Sequence, residues 1–372
     1  MKEPHASTAS GFRTPVASSL DETLLWLCGI PSPIGEEKAL CDAVVDRLGR
    51  LPTPLPSPIR RYGDSIVVPL VRSWEGRPHV ALVGHLDTVR TENGPARHEY
   101  DRIHGAGASD MKSGLAVMIV LAETLGDLPW CDLTLVFYAR EEGPFAENEL
   151  GPVLEQDPEL RDVDLAVCLE PSDNWLHLGC MGSIHATLTF EGRTCHSARP
   201  WEGENAVYRA AAFISEVAAL EPVESVIEGL SYRSVMTITQ ARDGGRGRNV
   251  VPDRFVVNLN HRFAPDTSLE DAQARVRALV GDRATLAFTD LSPAAMPHKD
   301  HPLVKTLAKA GVAGVAPKRA WTDVARFAAL GVAAVNFGPG ENAQAHQKNE
   351  STACPLVHQG YAILRRWLLS ID

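Results

Sequence analysis

Short apolar runs rich in β-branched residues recur in the first half of the chain, at "HVALVGHLD", "DLTLVFYAREE" and "DLAVCLEP", and again near its end at "GVAAVNFGPG". Continuous apolar runs of this length read as strands buried on both faces. Apolar positions at helical spacing mark "LDETLLWLCGI", "EEKALCDAVVDRLGRL" and "KSGLAVMIVLAETLGDL". The last of these lies between the first two strands, so strand and helix alternate as in an α/β domain with a mostly parallel sheet. From about residue 180 the pattern changes. "SIHATLTFEGRT", "SVMTITQARDGG" and "RFVVNLNHRFAP" alternate apolar with polar, like half-exposed antiparallel strands, and "NAVYRAAAFISEVAALE" and "SLEDAQARVRALVGD" read as amphipathic helices. This predicts an inserted α+β unit of roughly a hundred residues, a small domain in size. The α/β pattern returns afterwards in "PLVKTLAKAG" and "GVAAVNFG", so the first domain is expected to use both ends of the chain.

Three of the apolar runs end alike, in charged or imidazole side chains: His85 and Asp87, Glu141 and Glu142, and Glu170. One such ending is a turn. Three fall at the strand ends where parallel sheets hold ligands. "GAGASDMKSG" adds Asp110 among glycines that permit tight turns, and "GENAQAHQKNE" adds His346 after the last strand. Carboxylates this close repel one another unless cations compensate them. A nitrogen and oxygen donor set without thiolate suits zinc, with manganese or cobalt acceptable. His85, Asp110, Glu142, Glu170 and His346 are too many for one zinc of about four ligands, but fit two ions sharing a carboxylate, about 3.5–4 Å apart in such sites.

Composition narrows the class of function. The 372 residues, 44% hydrophobic and 22% charged, suffice for a sizeable core and two domains. A net charge of -11 argues against sequence-independent nucleic-acid binding. Seven scattered cysteines with no C-x-x-C spacing indicate neither a disulfide framework nor a thiolate zinc site and fit a reducing cytoplasm. The N-terminal twenty residues lack an apolar core of signal-peptide length, and Glu123 interrupts the greasiest stretch, so no membrane association is expected. "DMKSG" lacks the glycine of a phosphate loop and "GGRGRN" opens no helix, so neither supports nucleotide binding. Cys195 beside His196 is no nucleophile pair, because neighbours in extended backbone diverge.

In their order, "GHLDTV", "GAGASDMKSGLAVM", "AREEGP", "CLEPSDNW", "GCMGSIHATLTFEGRTCHSARPWEGENA", "RNVVPD", "NHRFAPD", "WTDVARFAALGVAAVNFGPG" and "AHQKNE" resemble the dinuclear zinc aminoacylase and peptidase family, from about residue 25 onward. That family includes acetylornithine deacetylase and the glutamate-releasing carboxypeptidases. The resemblance implies a catalytic domain from residues 1–178 and 292–372 and a ferredoxin-like lid and dimerisation domain at 179–291. It implies two Zn2+ per chain: His85 and Glu170 hold one, Glu142 and His346 the other, and Asp110, followed by a cis peptide to Met111, bridges them. Glu141 is then the general base, Asp87 orients His85 by a hydrogen bond to its imidazole, and His196 reaches across a homodimer interface to the partner's oxyanion. Adjacent residues on a strand end point apart, which suits one base and one ligand in the Glu141–Glu142 pair. The resemblance also implies that Asn249 and Arg262 lie near substrate and that Thr322, Arg326 and Gly338 to Gly340 line the pocket and grip the substrate's carboxylates. The activity implied is metal-assisted hydrolysis of a small N-acyl amino acid, with acetylornithine-like and dipeptide substrates among the alternatives. A metal-free scaffold relative would lack a ligand or the base, and here all six positions are filled.

Overall fold

A computed structural model describes residues 15–73, 76–125, 130–244 and 247–369. Most of the N-terminal stretch without a signal-peptide core, residues 1–14, lies outside them, as do residues 126–129 at the end of the third expected helix and 245–246 in "GGRGRN". Before the insert the chain carries α1 (Pro15–Gly29), α2 (Lys38–Leu48), β1 (Arg60–Tyr62), β2 (Ser65–Val71), β3 (His79–His85), β4 (Arg97–Glu99), β5 (Arg102–His104), α3 (Lys112–Thr124), β6 (Asp132–Tyr138), α4 (Leu150–Gln156), β7 (Leu165–Cys168) and β8 (Leu176–Leu178). The insert carries β9 (Gly182–Glu191), α5 (Ala206–Ala218), β10 (Val223–Ile227), β11 (Leu230–Asp243), β12 (Arg254–Phe263), α6 (Leu269–Val280) and β13 (Thr285–Ser292). The chain then returns through α7 (Pro302–Lys309), β14 (Val315–Pro317), α8 (Val324–Ala329), β15 (Ala333–Asn336), β16 (Ser351–Ala353) and α9 (Cys354–Leu369).

The large sheet has the order β1-β2-β6-β3-β7-β15-β8-β14. Its centre, β6-β3-β7-β15, is parallel, with antiparallel joins at β2–β6 and β15–β8. Every residue of β3, β6, β7 and β15 is buried, because helices cover both faces. Leu20, Leu24, Val117, Val120, Ile363 and Leu364 of α1, α3 and α9 form the core on one side. Leu150, Val153, Val324 and Phe327 of α4 and α8 form it on the other.

The insert is a five-stranded antiparallel sheet of order β10-β11-β12-β9-β13 spanning Gly182 to Ser292. Without its edge strand β10, the path β9-α5-β11-β12-α6-β13 in the order β11-β12-β9-β13 is ferredoxin-like. Period-two alternation does the sorting: Ile184, Ala186, Leu188 and Phe190 pack under Phe213 and Val276 of the helices, while His185, Thr187 and Thr189 face the open side. A third, small sheet, β16-β5-β4, ties the segment before α9 to the β4–β5 hairpin. No helix among the described residues is long and apolar enough to cross a membrane. None of the seven cysteines forms a disulfide, and six of them are buried.

Candidate metal centre

The carboxyl ends of β3, β7 and β15 and the turn after β6 converge. β3 ends on His85, whose Nδ1–H donates to the main-chain carbonyl of Asp87 at 3.0 Å. That bond fixes the tautomer and leaves Nε2 as the donor atom facing the centre. Nε2 lies 3.3 Å from Asp110 Oδ1, and Glu170, just beyond β7, completes a triad whose donor atoms lie within 4.8 Å of one another. The other Asp110 oxygen, Oδ2, is 3.5 Å from His346 Nε2, which sits 2.9 Å from Glu142. Asp110, Glu142 and His346 form a second such triad. One buried carboxylate thus faces two donor groups with its two oxygens. The Asp110–Met111 peptide is cis.

The residues fit cations by an independent mark. Glu170 Oε1 is buried with no hydrogen-bond partner. Burial and then the charge of Asp110 push the Glu170 carboxyl up to about 7. Burial and then Glu170 push Glu141 well above the usual carboxylate range. The bond to Glu142 raises His346 to about 9; at His85 burial works against protonation, but the carboxylates of Asp110 and Asp87 together carry it well above its ordinary value. The cluster therefore collects protons that a divalent ion would displace.

Glu141 and Glu142 depart from the sequence expectation. β6 stops at Tyr138, and the pair lies in a turn entered through Arg140 at φ 64, a left-handed conformation uncommon outside glycine. His346 has the same habit, at φ 61. Asp87 holds the turn: its Oδ1 accepts from Glu141 N at 3.0 Å and its Oδ2 from Glu142 N at 2.8 Å. Its carboxylate stands 3.5 Å from His85 Nδ1, so the imidazole is oriented chiefly by the Asp87 main chain. The separation of the two acids comes from this turn and not from strand alternation.

The remaining expected residues divide. Thr322 is buried with its hydroxyl unpartnered. Arg326 is committed elsewhere: it bonds Asp323 Oδ1 at 2.6 Å and the Phe145 carbonyl at 2.5 Å and stacks on the Phe145 ring. A guanidinium buried in such a pair is not free to grip a carboxylate. Gly338 and Gly340 are contact points between backbones. A Cβ on Gly338 would lie 2.2 Å from the Leu169 carbonyl and 2.4 Å from that of Glu170, and one on Gly340 would lie 2.2 Å from the Ser109 carbonyl. They let the 338–340 loop clamp the backbones that carry Glu170 and Asp110.

In the insert, His196 and Asn249 are neighbours, through a His196–Val250 bridge and a bond from Ser197 N to the Asn249 carbonyl at 2.9 Å. Both are exposed. Ala198 N donates to His196 Nδ1 at 3.1 Å, so the neutral ring carries its proton on Nε2. Arg262 is half-buried on β12 and donates to Asn260 at 3.1 Å. A cleft of about 620 Å³ separates Gly143 and Pro144, directly after the Glu141–Glu142 turn, from His185, Thr187, Asn258 and Asp290 on the open face of the insert sheet.

One positioning residue had no signal in the sequence. Glu350, buried, accepts from the backbone amides of Ser109 and Asp110 at 2.8 Å each and of Gly107 at 3.0 Å, and so shapes the loop that presents Asp110.

The profile of Peptidase family M20/M25/M40 matches residues 81–370. The succinyl-diaminopimelate desuccinylase of Corynebacterium glutamicum is 36% identical over 350 residues, covering 92% of this chain and 94% of the relative. A Mycobacterium tuberculosis protein with the provisional name succinyl-diaminopimelate desuccinylase DapE is 37% identical over 344 residues, covering 92% and 96%. Among solved structures, aminopeptidase PepT of Bacillus cereus superposes with a TM-score of 0.74 at 17% identity, covering 95% of this chain and 98% of that one. YxeP of Bacillus subtilis, described as a dinuclear metal-binding peptidase, superposes with a TM-score of 0.69 at 12% identity, covering 95% and 98%. These two likenesses establish the fold.

Proposed function

The chain belongs to peptidase family M20/M25/M40, and on that premise we propose that it hydrolyses the amide bond of N-succinyl-LL-2,6-diaminopimelate to succinate and LL-2,6-diaminopimelate, a step of lysine and peptidoglycan synthesis in the cytoplasm. The chain is a metal-dependent amidohydrolase of small molecules. Within the family its motifs resemble those of the actinobacterial desuccinylases, and the 36–37% identity over 92% of the chain supports that substrate. The observation that carries the chemistry is the Asp110 carboxylate turned by one oxygen to His85 and by the other to His346.

In this reading His85 and Glu170 would hold one zinc ion, Glu142 and His346 would hold a second, and Asp110 would be shared between them. Ions bound there would supply the acidification of water and the polarisation of the scissile carbonyl. Glu141 takes the proton from the attacking water and returns it to the leaving amine. Its place in the turn directly before the ligand Glu142 sets it beside the centre. Residues 179–291 act as lid and dimerisation domain, and His196 of one protomer offers its Nε2–H to the oxyanion formed in its partner. Thr322 and Arg262 meet the polar ends of the substrate.

The test compares kcat/KM of the zinc-loaded protein on N-succinyl-LL-2,6-diaminopimelate, N-acetylornithine and a dipeptide. The first is expected to exceed the others by about 10²-fold or more, as when a site built to bond a polar group meets substrates lacking it. Equal or faster turnover of N-acetylornithine would overturn the substrate and leave the hydrolytic class standing.

A further inference from the structure

A second set of metal-ligating side chains lies apart from this centre, where three remote parts of the chain meet. Asp21 comes from α1, His98 from β4, and Cys354 opens α9. One donor atom from each lies within 4.8 Å of the other two. Asp21 and Cys354 are buried and His98 is exposed. One helical turn after Cys354, His358 Nε2 lies 2.8 Å from Asp21 Oδ1.

The separation of the sulfur and the imidazole nitrogen is that of two ligands on one ion. Zinc bonds of about 2.3 Å to sulfur and about 2.0–2.1 Å to nitrogen, at tetrahedral angles, place the two donors about 3.6 Å apart. Cys354 Sγ and His98 Nε2 are 3.6 Å apart. The backbone fixes both: Cys354 N donates to the Asp101 carbonyl at 2.7 Å in the β4–β5 turn, and β16, directly before Cys354, pairs with β5, which pairs with β4. A thiolate, an imidazole and a carboxylate together form a donor set that zinc favours and that magnesium or calcium does not.

We propose that Asp21, His98 and Cys354 bind a zinc ion that cross-links these three parts of the chain, with His358 donating to and orienting the Asp21 carboxylate. Binding releases the Cys354 thiol proton. The ion joins α1, the β4–β5 hairpin and α9, and braces β16, the strand that directly follows Glu350 and so backs the loop carrying Asp110.

Cobalt(II) distinguishes this site from the catalytic one, whose five donors include no sulfur. The full-length protein, stripped with a chelator and reloaded with cobalt, is expected to show a near-ultraviolet sulfur-to-cobalt charge-transfer band. The band should persist in His85→Ala and vanish in Cys354→Ser and His98→Ala, each with one ion fewer per chain than wild type. Zinc should raise the melting temperature of His85→Ala but raise that of His85→Ala/His98→Ala less. His98 is exposed, so its variant decides the matter if Cys354→Ser fails to fold. Absence of the band in cobalt-saturated wild type, or a band and metal content unchanged by these substitutions, would overturn the site and leave a thiol–imidazole hydrogen bond beside a carboxylate–imidazole pair. Amide hydrolysis plays no part in the readout, so the outcome is independent of the substrate proposed above.

Discussion

Replacing Asp87 by asparagine keeps shape and volume but leaves one oxygen where the turn needs two. Asp87 is fully buried, and its oxygens take the amides of Glu141 at 3.0 Å and Glu142 at 2.8 Å. In the variant one of those amides faces an NH2 group. A hydrogen bond to a charged group contributes roughly 1.5–3 kcal/mol. If losing one is felt wholly in the placement of Glu141, kcat falls about 10-fold to 150-fold, at tenfold per about 1.4 kcal/mol. His85 should notice little, because its Nδ1–H is held at 3.0 Å by the Asp87 carbonyl, which the substitution leaves in place. The expected result is therefore low turnover with metal content close to wild type, read by elemental analysis after dialysis and by kcat at saturating zinc. If Asp87→Asn instead loses metal on dialysis and excess zinc restores full activity, the carboxylate serves the imidazole after all, and the turn is held by something else.

Glu141→Gln should keep its metal while turnover falls about 10²-fold to 10⁴-fold, the usual worth of a general base, whereas Glu142→Gln should lose metal as well; the opposite pattern exchanges their roles. A mixed dimer of one His196→Ala and one Glu141→Gln chain contains one site with both groups intact, so about half of wild-type activity should appear on mixing two nearly inactive parents; verified mixed dimers as inactive as either parent would confine His196 to its own chain. In the metal-free protein the bond to Glu142 raises His346 from 6.5 to about 9, so that pair stabilises the fold below about pH 6.5 and ceases to do so as pH rises through 9. Ion binding needs the neutral ring, so affinity should run the other way, tightening about tenfold per unit between roughly pH 7 and 9 and then levelling. Chelator competition across that interval measures it, and a flat profile counts against His346 as a ligand.

What the sequence made legible was whatever depends on local period and strand ends. The apolar runs before His85 and Glu170 are buried parallel strands, and the shift to alternation near residue 180 marks the antiparallel insert. What it hid depends on partners remote in the chain. The "YAREE" run reads as continuing strand, yet the chain turns at Arg140 because Asp87, on another strand's end, supplies acceptors for the next two amides. Arg326 resembles a substrate grip until Asp323 and the Phe145 carbonyl, which no spacing foretells, are seen to claim it. Glu350 is one acid among many in a polar loop, and only folding brings three amides from residues 107–110 to its carboxylate.

The place of β15 in the large sheet has a consequence for how the protein is made. β15 lies between β7 and β8, strands synthesised more than a hundred and fifty residues earlier. Until it leaves the ribosome, β7 and β8 each present an open edge of main-chain donors and acceptors, the geometry that recruits strands from other chains. The insert, by contrast, closes its own sheet within residues 182–292 and can fold as it emerges. Chains truncated before Ala333 would therefore combine a finished insert with a split, adhesive sheet, so translation errors late in this message should yield aggregates and not partly active enzyme.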